Sequence, residues 1–287
     1  MLATSAKPSI PSLVELRQPL KAWFQTELGQ QLLSTEQALL DQVLPRLFGY
    51  HLLQISVLDL PELTRGSPAG HRFMLAPEAD ADLAECSLVG DMENLPLAND
   101  CIDAVVLHHA LDFAHSPHDA LREAVRVLRP GGRLVIIGFN PHSFWGLHRL
   151  WKRKSEQVPW LGHFMARRRM QDWLKLLEMK SERADSGFFR PPWHSARWMQ
   201  RMQFCERWGQ RSHSLNGAFW ILTACKETGA AATVGQSWKR RFVFPLPVAQ
   251  SSRASRASRG GMADKAGSAR IYPFPRLSSS ASPSKDS

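Results

Sequence analysis

The sequence has few cysteines and no long apolar run, and both absences narrow the possible classes of protein. Four cysteines are spread over 287 residues and none forms a Cys-x-x-Cys pair, so neither a zinc ribbon nor a disulfide framework is indicated. No stretch approaches the roughly 20 apolar residues that a membrane-spanning helix requires. Proline and charge interrupt residues 1–21 early, so we expect no secretory signal and a cytoplasmic protein.

Glycine is absent where a nucleotide-type cofactor fold usually has it, directly after the first strand. The segment "LLQISVLDLPEL", residues 52–63, reads as a buried strand that runs into a turn. Glycines at this place normally let the backbone lie against a ligand. If "LLQIS" is the strand, Ser56 stands at the first glycine position. If "VLDL" is the strand, Pro61 and Leu63 replace glycines.

The basic character of the chain is concentrated near its C-terminus. The net charge is +10, and residues 248–287 hold seven Lys or Arg against two Asp or Glu. Residues 229–287 are rich in Ser, Arg, Gly and Pro and have few large aliphatic side chains, so we predict a disordered basic tail. Such a tail would bind polyanions weakly and lose them in salt.

The first part of the chain predicts helices followed by two short strands. Residues 1–49 form an N-terminal helical segment, in which "STEQALLDQVLPRLF" has apolar residues at helical spacing behind a capping box of Ser34 and Gln37. Residues 52–58 and 72–76 are short apolar runs that predict strands. The ten residues "PELTRGSPAG" that separate them are too few for a crossover helix. We therefore expect a shortened first βα unit.

Residues 86–141 carry the most regular pattern. Apolar runs at 102–107 and 133–138 predict strands that are buried on both faces. Between them, residues 118–128 form one apolar stripe that begins after Pro117 and ends at Pro130-Gly131-Gly132, which predicts a helix. A strand, a helix and a strand joined by short turns indicate a parallel pair with a right-handed crossover.

Three motifs in this region resemble the class I S-adenosylmethionine-dependent methyltransferases, especially the type 11 group. They are "GDMENLP", "ALREAVRVLRPGGRLVI" and the continuation "GFNPHSFWGL", which is similar to a poorly characterised bacterial subgroup. The resemblance implies an α/β, Rossmann-like, mostly parallel sheet of seven strands over residues 50–228. The last two strands would lie near 181–188 and 219–225. It also implies S-adenosyl-L-methionine as the cofactor and methyl transfer to a small or medium acceptor.

Carried over to this sequence, the resemblance assigns roles to a few residues. Asp91 would accept a hydrogen bond from the adenine amino group, and Met92 would flank the ring. Ser56 would face the cofactor, and His108 would lie beside its methionyl part, with His109 as the catalytic residue. The acid that normally holds the ribose has no clear match, because Ala76-Pro77 stands there and Glu78 follows. A plain turn-capping role for Asp91 stays open.

The loop "GFNPHSFWG" and the Trp- and Arg-rich segment after it predict the acceptor side. Asn140 and His142 are candidates for substrate binding, and residues 141–200 would form a cap. The alternative is an Asn-Pro turn with Phe144 and Trp145 in the core. His115 and His118 satisfy an H-x-x-H spacing, but no carboxylate or cysteine completes a convincing set with them or with the preceding histidine pair, so we predict no metal site.

Two other functions remain compatible with the sequence. The missing glycines favour a non-catalytic scaffold that uses the same fold to bind a protein partner. The tryptophans and arginines of residues 145–211 favour an RNA-binding or RNA-modifying protein, because aromatic and basic side chains together suit single strands. The sequence does not indicate the acceptor or the oligomeric state.

Overall fold

The computed structural model describes residues 13–77, 87–152, 157–192 and 216–227, which all belong to one compact unit. The predicted tail at 229–287 lies outside these residues. Across the described ranges, no helix has the length and apolar character that crossing a membrane requires.

Two helices precede the sheet, and the rest lie between its strands. The α-helices are α1 (Leu13–Phe24), α2 (Glu27–Leu40), α3 (Ala110–Phe113), α4 (Pro117–Val127), α5 (Phe144–Trp151) and α6 (Arg167–Leu176). Short 3₁₀ helices occur at Leu44–Arg46 and Pro61–Thr64. The helix predicted for 118–128 is confirmed as α4.

The seven strands form one sheet whose order departs from their order in the chain. They are β1 (His51–Ser56), β2 (His71–Ala76), β3 (Ser87–Val89), β4 (Ile102–His108), β5 (Leu128–Phe139), β6 (Met179–Gly187) and β7 (Phe219–Lys226). The spatial order is β3-β2-β1-β4-β5-β7-β6. The pairs among β1 to β5 are parallel, and β7 runs antiparallel between β5 and β6. The predicted α/β fold class and the last two strands are therefore confirmed.

The burial of β4 on both faces explains why the strands of the central region could be predicted from the sequence. Ala104 and Val106 pack into the apolar cluster on one side of the sheet, together with α1 and α2. Val105 and Leu107 pack into the cluster on the other side, together with α4 and α6. Every residue of β4 except the half-buried Asp103 is buried, as expected of a central strand covered on both faces.

The connection between β1 and β2 is short, as predicted. It contains the 3₁₀ helix Pro61–Thr64 and no α-helix. The strand ends at Ser56, so the alignment with Ser56 at the first glycine position is the one that the structure adopts. The start of β1 is held by Asp103, whose Oδ2 accepts hydrogen bonds of 2.9 Å from the backbone N–H groups of Tyr50 and His51.

The predicted start of the second helix is wrong. α2 begins at Glu27 behind Thr26, whose side chain caps the helix by accepting a hydrogen bond from the Gly29 N–H. Ser34, the expected cap, lies inside the helix. Tertiary burial overrides the local capping signal, because Leu28, Leu32 and Leu40 extend the buried face toward the N-terminus.

Candidate functional site

A cleft of about 380 Å³ opens at the carboxyl ends of the parallel strands. Ligands of open α/β sheets bind at this edge, where the strand order reverses. Here the reversal falls between β1 and β4, and the cleft is lined by the end of β1 and by residues 113–115, which follow β4. The lining residues come from the start of α1, the ends of the first three strands and the segment after β4: Leu13, Val14, Ile55, Ser56, Leu75, Pro77, Gly90, Asp91, Met92, Glu93, Phe113, Ala114 and His115.

Three of the predicted cofactor-binding residues line this cleft. Ser56 ends β1, and Asp91 and Met92 follow β3. Asp91 is exposed and Met92 is buried. Asp91 also caps its own turn, because its Oδ1 accepts a 3.0 Å hydrogen bond from the Glu93 N–H. The two readings of Asp91 are therefore compatible, since one carboxylate oxygen serves the turn and the other has no partner among the described residues.

The charge of the cleft favours a cationic ligand. The carboxylates of Asp91 and Glu93 line the cleft. No lysine or arginine is found among the described residues that line it. Apolar side chains such as Ile55, Leu75 and Met92 form the rest of the wall. A sulfonium joined to a flat heterocycle matches this combination, because the carboxylates attract the cation and the apolar wall accepts the ring.

The turn that carries Asp91 and Met92 is held by two residues of the helix motif. The Glu123 carboxylate accepts a 2.9 Å hydrogen bond from the Leu95 N–H. The Arg126 guanidinium donates to the carbonyl oxygens of Leu95 and Leu97 at 3.0 and 2.9 Å, and it also contacts Glu123 at 2.7 Å. The hydrogen bonds from Arg126 are the main reason that the pKa of Glu123 lies below its usual value.

We expect the Arg126→Ala substitution to destabilise this turn. The variant loses hydrogen bonds from a charged donor to two carbonyls and a carboxylate, so the free energy of unfolding should fall by about 1.5–3 kcal/mol. Urea denaturation measures the change. Arg122→Ala is the matched control, because Arg122 is on the same helix, is mostly exposed and makes one 3.4 Å contact with Asp119. Equal losses of stability in the two variants would contradict the role of Arg126 in holding the turn.

His108 and His109 lie in a fully buried polar cluster and not in the wall of the cleft. His108 Nε2 is 3.0 Å from Glu36 Oε2, and His109 Nε2 is 2.8 Å from Glu36 Oε1. The other ring nitrogens also have partners: His108 Nδ1 is 2.9 Å from Ser56 Oγ, and His109 Nδ1 is 2.8 Å from Asp112 Oδ2. Glu36 comes from α2, so the cluster joins the N-terminal helices to the end of β4.

The cluster carries ionised groups despite its burial. Burial acts to raise the pKa of Glu36, but the His109 charge and hydrogen bonds from both histidines outweigh it and bring the pKa to about 2. Burial acts to lower the pKa of His109, yet Glu36 and Asp112 raise it to about 9. The pKa of His108 is lowered, chiefly by burial. A carboxylate, a protonated His109 and a neutral His108 follow from these shifts.

This geometry changes two interpretations made from the sequence. The expectation that no carboxylate completes a metal-type set with the histidines is corrected by Glu36, which lies within reach of both rings. His109 has no exposed surface, and both of its ring nitrogens are engaged. It therefore has no access to a ligand in the cleft, and the imidazole that lines the cleft belongs to His115.

The two predicted substrate-binding residues lie apart from the cleft lining. Asn140 is buried; its side chain donates to the Gly217 carbonyl and accepts from the His142 N–H, each at 3.0 Å. These contacts build the turn after β5. His142 is exposed. Trp145 is buried as the turn interpretation requires, whereas Phe144 is exposed.

The described part of the predicted cap at 141–200 does not border the cleft. Its described residues form α5, α6 and the sheet strand β6, and none of them belongs to the lining set. Leu13 and Val14 of α1 border the cleft instead. Trp145 and Trp160 are buried against neighbouring aromatic rings, so these two tryptophans have no face free to stack on a base.

Comparison with known proteins agrees with the fold described above. A family model described as a methyltransferase domain matches residues 74–136. A crystal structure of a methyltransferase from Thermotoga maritima, described as a possible histamine N-methyltransferase, has the same fold, with a TM-score of 0.50, 17% identity and coverage of 74% of this chain and 97% of that one. The chain has the fold of the class I methyltransferases.

Relatives with curated descriptions match this chain over part of their length. The uncharacterized protein YafS of Escherichia coli K12 is 33% identical over 149 residues, which are 52% of this chain and 60% of YafS. A malonyl-[acyl-carrier protein] O-methyltransferase of Pectobacterium atrosepticum is 36% identical over 80 residues, 28% of this chain and 32% of the relative. The matched part of the chain thus spans less than two thirds of the length of either relative.

Proposed function

We propose that the protein transfers a methyl group from S-adenosyl-L-methionine to an acceptor of small or medium size. The observation that carries the proposal is the cleft at the carboxyl ends of the parallel strands, which brings together Ser56, Asp91 and Met92 and has two carboxylates in its wall. Its volume of about 380 Å³ is within the range of small-molecule sites. When bound, the cofactor would supply an electrophilic methyl group.

The residues of the cleft divide into those that hold the adenosine and those near the sulfonium. Asp91 Oδ2 would accept a hydrogen bond from the adenine amino group while Oδ1 keeps the turn closed. Met92 is buried beside Asp91 and would contact the ring. Glu93, fixed by a 2.6 Å hydrogen bond from the Ser116 N–H, adds negative charge to the wall. These fixed carboxylates would attract a cationic ligand without the cost of reorganisation.

Ser56 would tolerate the cofactor in place of the usual glycine because its hydroxyl is turned toward His108. The Ser56 Oγ is 2.9 Å from His108 Nδ1 and accepts a 3.1 Å hydrogen bond from the Leu58 N–H. These two contacts tie the side chain to the protein instead of leaving it to project freely into the cleft. His108 would then act on the cofactor through Ser56 and would not touch it.

The acceptor would approach along the side formed by α1 and the segment after β4. Leu13, Val14, Ala114 and His115 line this part of the cleft. Methyl transfer from a sulfonium depends chiefly on alignment of the nucleophile with the methyl group. If the acceptor carries a proton to be removed, the exposed imidazole of His115 is placed to accept it.

Calorimetric titration of S-adenosylmethionine and S-adenosylhomocysteine into the full chain tests the proposal. We expect dissociation constants in the micromolar range, about −8 kcal/mol of binding free energy, because the residues proposed to hold the adenine, Asp91 and Met92, both line the cleft. Protein whose fold is verified by circular dichroism but which binds neither ligand at millimolar concentration would contradict it. That result would favour the scaffold function, in which the fold binds a protein partner.

A further inference from the structure

The buried cluster behind Ser56 has the composition of a metal centre. The Nε2 atoms of His108 and His109 and a carboxylate oxygen of Glu36 all lie within 4.8 Å of one another. The three side chains come from two different elements and from the residue that follows β4, and none has exposed surface. Each contributes an atom that ligates transition metals.

The second contact of each imidazole strengthens this interpretation. A metal-bound histidine almost always donates its other ring N–H to a carboxylate, a carbonyl oxygen or another polar group, which fixes the ring and its tautomer. Asp112 Oδ2 occupies that position for His109 at 2.8 Å, and Ser56 Oγ occupies it for His108 at 2.9 Å. Both rings are therefore held with Nε2 directed at the same carboxylate.

Distances and charge are both compatible with a divalent ion. Zinc bonds of about 2.0–2.2 Å place neighbouring ligand atoms about 3.3 Å apart in a tetrahedral site. Here His108 Nε2 is 3.0 Å from Glu36 Oε2 and His109 Nε2 is 2.8 Å from Glu36 Oε1, so each pair must move apart by up to about half an ångström to admit the ion. The carboxylates of Glu36 and Asp112 carry two negative charges when ionised, and one divalent ion with two neutral imidazoles balances them, as burial of charge requires.

We propose that Glu36, His108 and His109 bind one divalent transition-metal ion, with Zn²⁺ as the ion that this ligand set accepts readily. Two imidazoles and one carboxylate form a known zinc ligand set, in which the fourth position is left to water. The ion fastens α2 to the end of β4, and through His108 it orients Ser56 at the cleft wall. Since the cluster is enclosed, the ion enters while α2 docks on the sheet.

Metal analysis of untagged protein tests the proposal. The full chain is unfolded in denaturant with EDTA, freed of the chelator, refolded with or without excess ZnCl₂ and passed through a desalting column. We expect about one zinc per chain by elemental mass spectrometry and a higher midpoint of thermal unfolding in the zinc-loaded sample. Refolded wild-type protein that holds far less than stoichiometric zinc, with an unchanged midpoint, overturns the proposal and leaves a hydrogen-bonded cluster.

Matched variants separate this site from zinc bound at the surface. Glu36→Gln should lose the zinc, whereas Glu27→Gln, an exposed glutamate on the same helix, should keep it. His71→Gln should also keep it, although the Nδ1 atoms of His51 and His71 lie 3.1 Å apart near the surface and form a competing two-ligand site. Loss of zinc in His71→Gln with retention in Glu36→Gln would overturn the assignment.

If the Glu36→Gln variant does not fold, the visible absorption spectrum of cobalt-loaded wild-type protein tests the metal site. Wild-type protein refolded with CoCl₂ should show visible absorption bands of a four-coordinate ion with nitrogen and oxygen ligands, and the bands should be unchanged in His71→Gln. The absence of such bands from folded wild-type protein, or their loss in His71→Gln, counts against the buried site.

Discussion

The Glu36→Gln substitution should lower the free energy of unfolding by about 3–5 kcal/mol, the range for breaking a buried ion pair by removing one partner. Glu36 is fully buried and accepts hydrogen bonds from both histidines of the cluster. Without its charge, a protonated His109 is left with Asp112 alone, or must lose its proton. Glutamine has nearly the same size, so the change in stability reports charge and hydrogen bonding and not a cavity.

Urea denaturation in the presence of EDTA measures this effect for the metal-free protein. Glu27→Gln is the control, since this exposed residue on the same helix should alter the free energy of unfolding by less than about 0.5 kcal/mol. A loss below about 1 kcal/mol in Glu36→Gln would mean that the cluster contributes little to stability.

The pH dependence of stability provides a second measurement of the same pair. The pKa of His109 is about 9 in the folded protein against 6.5 in the reference state, so its contribution is complete below pH 6.5 and is lost as the pH rises through 9. His108, with its lowered pKa, acts in the opposite direction and only near and below its reference value. For the metal-free protein, wild-type stability should therefore fall between about pH 6.5 and 9, and Glu36→Gln should show a weaker decline.

Local patterns made the central fold predictable, because the signals lie within single elements. The run at 102–107 is apolar except for Asp103 and forms a strand with both faces covered. The apolar stripe of residues 118–128 is bounded by proline and glycine and forms α4. The motif "GDMENLP" is also local, and it predicted that Asp91 and Met92 follow β3. Both residues line the cleft.

The buried cluster of Glu36, His108 and His109 could not be predicted from local patterns, because Glu36 and the two histidines are far apart in the chain. Glu36 precedes His108 by 72 residues and meets it through the docking of α2 on the sheet. One signal was available: Leu28, Leu32, Glu36 and Leu40 recur every four residues, so a single carboxylate occupies the buried face of an apolar helix. A charge at such a position requires a buried partner, and the adjacent histidines were the available candidates.

The share of the cleft that α1 contributes could not be read from the sequence either. Leu13 and Val14 are ordinary apolar residues at the start of an amphipathic helix, and their contact with the cleft depends on how α1 packs over the sheet edge. The Trp-rich segment suggested a cap by composition. Its tryptophans at 145 and 160 instead fill an aromatic cluster around Phe139 and Phe164, since large rings contribute most when they are buried.

The Asp91→Ala substitution should weaken the binding of S-adenosylmethionine by more than tenfold, which is about 1.4 kcal/mol or more. The variant removes the oxygen proposed for the adenine amino group and one of the two carboxylates in the cleft wall. It also removes the hydrogen bond that Asp91 Oδ1 accepts from the Glu93 N–H. Calorimetry on wild-type and variant protein measures the change, and urea denaturation measures any accompanying loss of stability.

Asp91→Asn separates the binding role from the turn-capping role. Asparagine keeps an oxygen for the turn and loses the negative charge, so the turn should stay closed while the charge-assisted hydrogen bond to the cofactor weakens. We therefore expect Asp91→Asn to bind more weakly than the wild type and more tightly than Asp91→Ala, at nearly wild-type stability. Asp172→Ala, an exposed aspartate on α6, should leave affinity unchanged. Wild-type affinity in Asp91→Ala would show that Asp91 only caps its turn, because an oxygen that contacts the adenine cannot be removed without a loss of binding free energy.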